Sequence, residues 1–453
     1  MPRWALIMSL VAASTAIPVV AVAASSQMAF TSVVALAIGL ILVFAIALTR
    51  FELLTFLMVA ARTAIDITHT DGNLETLRLS VLATGAYTVT AIFWLVARRI
   101  ERPLRASWVA ISAGAVSLAA VLSGVLSSDR EQALLGASRW VFLAIFLVVL
   151  ENSITDQNQV RRLVIAVGLS TLVPLSLGTW QLLIGTGQVI DGIARIDGSF
   201  SHPNTYGFYL AMVALGLISI ISHIPRWYRV GGSGLLALLV VNLLATYSRT
   251  SYVAFSVGLL VIALVGRHWA LLIMTLVAAS GLSLIPSVAE RFADLGEGQT
   301  IRGTPGDSLA WRLEYWPEVI AVGEGRRVTG LGLGLASDAT AQGREPHNDL
   351  VRAYVEMGSI GLVSYLIFLL ALAWQAWRAI SRSGSATGSP ALARSLAVGF
   401  AGIFAAYLVG SLTGNLMTQL ILLWYVVALA VATGLPTRTP TREFAQLRER
   451  VDA

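Results

Sequence analysis

Apolar runs of roughly twenty residues, separated by short polar breaks, recur along almost the whole chain. Such a run is what an α-helix needs to cross the hydrocarbon core of a bilayer. The pattern predicts spans near 4–24, 28–49, 51–66, 78–97, 106–126, 133–150, 163–184, 204–222, 231–247, 251–266, 269–286, 351–376, 395–413 and 416–434. The third is short and carries Arg62 and Asp66 at its end. One long polar stretch interrupts the pattern, at 287–350. Inside it, DSLAWRLEYWPEVIAV places apolar residues three and four apart, which predicts a short amphipathic helix at the interface. A glycine-rich loop, GLGLGLASDATAQG, follows it. There is no internal repeat, and SRSGSATGSP at 381–390 is the low-complexity linker.

Composition agrees with lipid as the solvent. The 453 residues are 56% hydrophobic and 12% charged. A soluble domain carries about a quarter charged residues. The reading is an all-α polytopic membrane protein with about 12–14 transmembrane helices and one large extracytoplasmic loop. Its expected division is a helix bundle at 1–286, the loop at 287–350, further transmembrane helices at 351–434 and a basic cytoplasmic tail at 435–453. The run after Met1-Pro2-Arg3 reads either as a signal peptide or as a retained helix. The orientation count below requires it to be retained. Cysteine is absent, so disulfides, thiolate metal sites and thiol chemistry are excluded.

Charge then gives a direction. RRIERPLR at 98–105, HIPRWYR at 223–229, GRH at 266–268, WRAISRSGS at 377–385 and the tail fall on one side when fourteen spans are counted. By the positive-inside rule that side is the cytoplasm. The net charge of +6 therefore belongs to membrane orientation and needs no nucleic-acid partner. The opposite side receives DITHTDGNLET, SSDREQ, GQVIDGIARIDGSFSHP, SRT and the 287–350 loop.

Several chemically able residues collect on that outer side. Arg195, Arg249 and Arg312 come from separate elements, and Arg139 sits inside a span. No lysine occurs, and arginine's planar fork suits phosphate oxygens. The bland alternatives are genome composition and interfacial snorkelling. His347-Asn348-Asp349 precedes a long apolar run. Asn348 or Asp349 suits a helix N-cap. His347 is either an interfacial histidine without a role or a base that takes a proton near neutral pH.

Four of these stretches resemble the O-antigen ligase/polymerase superfamily of bacterial membrane glycosyltransferases. They are RIDGSFSHPNTYGFYL, YSRTSYVAF, WRLEYWPEVIAVGEGRRVTGLGLG and PHNDLVRAYVEMGSIG. The resemblance implies a GT-C-like helical fold. It also implies transfer of a glycan from a polyprenyl-pyrophosphate-linked donor to a glycolipid or glycan acceptor, without cofactor, on the outer face of the cytoplasmic membrane. On the matched positions His347 becomes the base for the acceptor hydroxyl. Arg195, Arg249 and Arg312 hold the pyrophosphate, and His202, Asn204, Asn348 and Glu356 shape the site. With no Asp-x-Asp and no ligand-spaced cluster in the sequence, an inverting, metal-independent reaction is expected.

Polymerisation of O-antigen, capsule or exopolysaccharide repeats, and transfer to a protein, remain open within that class. A lipid or solute transporter is the reading from another class, and it places polar groups near the bilayer midplane. Arg62, Asp66 and Glu356 are the residues that decide it.

Overall fold

The computed structural model describes residues 50–64, 74–190, 192–271, 273, 309–383 and 390–434. The spans expected at 4–24 and 28–49, most of that at 269–286, the tail and Asp66 lie outside the described residues. Helix dominates, and eight described helical segments, Gln157–Ile184 counted as one, are long and apolar enough to cross a membrane. The protein is an all-α polytopic membrane protein.

The helices are α1 (50–64), α2 (Leu74–Glu101), α3 (Trp108–Leu126), α4 (Arg130–Ser153), α5 (Gln157–Leu169) and α6 (Leu172–Ile184). A two-stranded hairpin follows, β1 (Gln188–Ile190) and β2 (Ile193–Arg195), pairing Gln188 with Arg195. Next come α7 (Pro203–Ile220), α8 (Arg226–Ala245), α9 (Arg249–Gly266), α10 (Leu309–Val322), the short α11 (Ala336–Ala339), α12 (Asp349–Ser383), α13 (Pro390–Thr413) and α14 (Leu420–Gly434).

Short polar side chains set many of the starts. Ser107 caps α3, Asp129 caps α4, and Asp156 forms a reciprocal capping box with Gln159 on α5. Each satisfies backbone N–H groups that a first turn leaves without partners. α13 runs along α9, α7 and α12, while α3 packs between α4 and α12. The interior is aromatic: Trp140 stands edge-on to Phe368 at 5.7 Å, and Phe146 stacks on Trp424 at 4.0 Å. The outward faces carry Leu118, Leu183, Val230 and Leu370, apolar surface suited to lipid.

Three elements depart from the hydropathy pattern. The run at 163–184 is two helices. Ser170 and Thr171 turn their hydroxyls back to Val167 O and Gly168 O, competing with the helix ladder, and Pro174 lacks an N–H to continue it. Thr63 donates at 2.6 Å to the Ser170 carbonyl left over by the break, so the break stays satisfied inside the bundle. The run at 351–376 lies within a longer helix, α12, that is itself broken at Gly358, where φ is 68° and ψ is −168°. The run at 416–434 begins as helix only at Leu420, because 414–419 folds into a turn.

That turn shares one end of the bundle with the starts of α7, α9 and α12 and the C-terminal ends of α8 and α13. The other end carries Arg98, Arg99, Arg105, Arg226, Arg229 and Arg267.

Candidate functional site

Arg195 closes β2 and is only 6% exposed. Its Nε donates to Thr246 O at 2.7 Å, and one terminal nitrogen donates to Asn204 Oδ1 at 2.7 Å. These two bonds fix the plane of the guanidinium. Asn204 is held in turn by the His-Pro-Asn sequence. His202 is the N-cap of α7 and its Nδ1 accepts the Asn204 N–H at 3.0 Å, while Pro203 occupies a first-turn position that has no N–H to lose. His202 and Asn204 therefore orient Arg195, a local reason for that motif.

The backbone beyond Arg195 runs buried through Phe200. Gln181 on α6 secures it. Its Oε1 accepts from Asp197 N and Gly198 N, and its Nε2 donates to Asp197 Oδ1 at 2.7 Å. Burial pushes the Asp197 carboxyl above its ordinary range, and the Gln181 bond partly offsets that. Arg249 opens α9 behind its cap Ser248, and Ser251 of the same turn donates to Asn204 O at 3.2 Å. Both arginine-bearing turns thus lie side by side.

α10 secures the approach to His347. Trp311, Tyr315 and Trp316 donate to Gln342 Oε1, Arg344 O and Pro346 O at 3.1, 2.6 and 2.8 Å. Arg312 of the same helix, 6% exposed, donates to Thr413 O at 2.7 Å. The stretch read from sequence as an interfacial helix is thus a clamp whose Trp311, Tyr315 and Val319 pack on Val355.

His347 is half-buried and has a positive φ of 49°. A non-glycine residue in that region costs about 1–3 kcal/mol and persists only where its surroundings enforce it. Here Asn415 enforces it, with Oδ1 accepting the His347 N–H at 3.0 Å and Nδ2 meeting the ring Nδ1 at 3.1 Å. Asn348 is the cap of α12, accepting from Leu350 N and Val351 N. Asp349 reaches across instead, accepting from Met417 N at 3.0 Å and from the Tyr365 hydroxyl at 3.1 Å.

Two residues absent from the sequence-based site belong to it. Arg352 is fully buried and pairs with Glu345, with Glu356 at 2.9 Å and with Asn415 Oδ1 at 3.3 Å. An arginine inside an apolar run with a glutamate four residues on was the available signal. Asn415 gave none, being one polar residue in an ordinary-looking turn.

The turn 413–419 is the hub. Besides Arg312, His347, Asp349 and Arg352, it receives the Trp140 indole N–H at Met417 O and the Thr205 hydroxyl at Gln419 Oε1, at 3.2 and 2.6 Å. Thr205 follows Asn204, so the turn links the Arg195 side to the His347 side.

The glycine-rich loop is closed by Glu356. Its amides are already taken: Gly332 N by Glu356 O, Gly334 N by Glu356 Oε2 and Ala336 N by Glu356 Oε1. Glu356 is 0% exposed and committed to this loop and Arg352. Both of its carboxylate oxygens are thus spent inside the protein. Arg62 lies over the Trp424 ring at 5.4 Å.

Residues 234–366 match the family model for O-antigen ligase. The segment belongs to the O-antigen ligase/polymerase superfamily. Glycan transfer of the ligase type is the activity at family level, with lipid-linked glycans as its substrates in general. The O-antigen ligase segment contains Arg249, Arg312, His347, Arg352 and Glu356 and excludes Arg195, His202, Asn204 and Asn415. No curated protein matches the chain.

Proposed function

We propose that the protein transfers a glycan from a polyprenyl-pyrophosphate donor to an acceptor hydroxyl, as an O-antigen ligase does, at the outer face of the cytoplasmic membrane. The observation that carries this reading is the convergence of Arg195, Arg249, Arg312 and His347, from four sequence-distant segments, on one end of a membrane bundle. The opposite end holds the arginine-rich turns, which by the positive-inside rule belong in the cytoplasm.

A polyprenyl pyrophosphate lies with its tail in lipid and its glycan in water. The bond to be broken therefore sits at the membrane edge, where helix ends present these side chains. Arg195, Arg249 and Arg312 hold the pyrophosphate, and their fixed charges stabilise the negative charge that grows as it leaves. His202 and Asn204 hold Arg195 in orientation, Asn348 caps the helix that follows His347, and Glu356 holds Arg352. His347 stands at the reacting bond. Direct attack by the acceptor hydroxyl inverts the anomeric carbon. Because guanidinium groups supply the neutralising charge, transfer is expected to persist in excess chelator.

Purified protein given a polyprenyl-pyrophosphate glycan and a lipid A–core acceptor should yield a glycolipid heavier by the glycan mass. Product formed only on a second lipid-linked repeat would identify a polymerase. No transfer to any hydroxyl acceptor would overturn the reading.

A further inference from the structure

The amide of Asn415 can be oriented by what surrounds it. Two donors, the His347 backbone N–H and an Arg352 guanidinium nitrogen, point at one end of it, at 3.0 and 3.3 Å. That end is therefore the oxygen, because the reversed amide would set its own N–H groups against both donors. The nitrogen end then faces His347 Nδ1 at 3.1 Å as the donor. Nδ1 must carry a lone pair, and a neutral imidazole with its lone pair on Nδ1 keeps its hydrogen on Nε2.

This polarity is the reverse of the arrangement that makes a histidine a base at Nε2, in which an acceptor holds the hydrogen on Nδ1. We propose that Asn415 is a positioning residue that locks His347 in its Nε2–H form, and that His347 serves glycan transfer as an N–H donor to the departing pyrophosphate oxygen instead of as the base. The proposal rests on the glycan-transfer reading above. In the step, the acceptor oxygen bonds to the anomeric carbon and the carbon–oxygen bond to pyrophosphate breaks. Its electron pair stays on the pyrophosphate oxygen, where Nε2–H and the arginines hold the developing charge. The acceptor's proton goes to the pyrophosphate, and His347 ends the step in the form in which it began. A neutral imidazole can act in this way as a hydrogen-bonding electrophile.

Among the described residues, charged groups approach the pair from three sides. Arg352 of α12 reaches Asn415 and pairs with Glu345 of the loop before it, Arg312 reaches Thr413 from α10, and Asp349 holds Met417 N.

Two measurements on the full-length protein test this. Nitrogen-15 NMR of histidine-labelled protein, with His347→Gln to assign the resonance, should show His347 protonated on Nε2 and bare on Nδ1. A hydrogen on Nδ1 would overturn the proposal, and this reading stands whether or not transfer is detected. In the transfer assay His347→Gln keeps an N–H near the Nε2 position and should retain activity to within about tenfold, against the 10²–10⁴-fold loss expected on removing a base. Asn415→Asp demands a hydrogen on Nδ1. Its activity should be low at neutral pH and recover as pH falls and the ring becomes doubly protonated. Activity that rises with pH in Asn415→Asp would overturn the donor role. Wild-type protein with no transfer at all would count against the glycan-transfer reading and leave the tautomer result intact.

Discussion

Gly358 lies so close to Val328 that a Cβ at position 358 would stand 2.1 Å from the Val328 carbonyl oxygen. The contact belongs to a zipper in which Ser359 N bonds to Arg327 O at 2.8 Å and Leu331 N to Val355 O at 3.0 Å. Gly358 is also left-handed, at φ 68°. Alanine there adds about 1–3 kcal/mol of backbone strain to a clash with rigid backbone. Gly358→Ala should lower the thermal unfolding midpoint in detergent far more than Gly114→Ala, whose Cβ would meet open space. Equal midpoints would separate the glycine-rich loop from the stability of α12.

Arg195→Lys keeps the charge but loses the two-point hold on Thr246 O and Asn204 Oδ1. Losing one organised donor to a developing oxyanion typically costs about 10²–10³-fold in rate. Transfer should fall by that order while the unfolding midpoint stays near wild type. A fully active lysine variant would remove Arg195 from the proposed pyrophosphate site.

The chain contains no cysteine, so single cysteines report topology cleanly. Ala341 and Ser381 are both exposed, on the loop before His347 and at the far end of α12. In intact cells an impermeant maleimide should label Ala341→Cys and leave Ser381→Cys unlabelled. The reverse pattern would place the hub in the cytoplasm and overturn the outer-face proposal.

Asp197 gives a pH signature. Burial raises its folded pKa, so the protonated form suits the fold and the ionised form is penalised. Below the unfolded carboxylate pKa of about 3.9 both states hold the proton and no penalty acts. As pH rises through the folded pKa the penalty appears and stability is lost. Asp197→Asn should therefore match wild type in thermal unfolding at acid pH and exceed it at neutral pH. A gain that is the same at both ends would exclude ionisation as the cause.

The spans that fall within the described residues were legible because lipid forces nearly every backbone group into helix, and hydropathy records that demand directly. Arg195, Arg249, Arg312 and His347 were legible because each sits in a patterned stretch at a helix boundary. What joins them was not. Thr205 to Gln419 and His347 to Asn415 are contacts over 214 and 68 residues, and neither partner in the hub turn shows any local pattern.

The hub turn lies between the last two described helices, downstream of every arginine and histidine it joins. A chain still emerging from the ribosome holds Arg195, Arg249, Arg312 and His347 in place along its length long before Thr413–Gln419 exists to join them. The arrangement therefore comes together in one step, once that turn has been made, and a chain stalled before it would carry the four side chains without the turn that joins them.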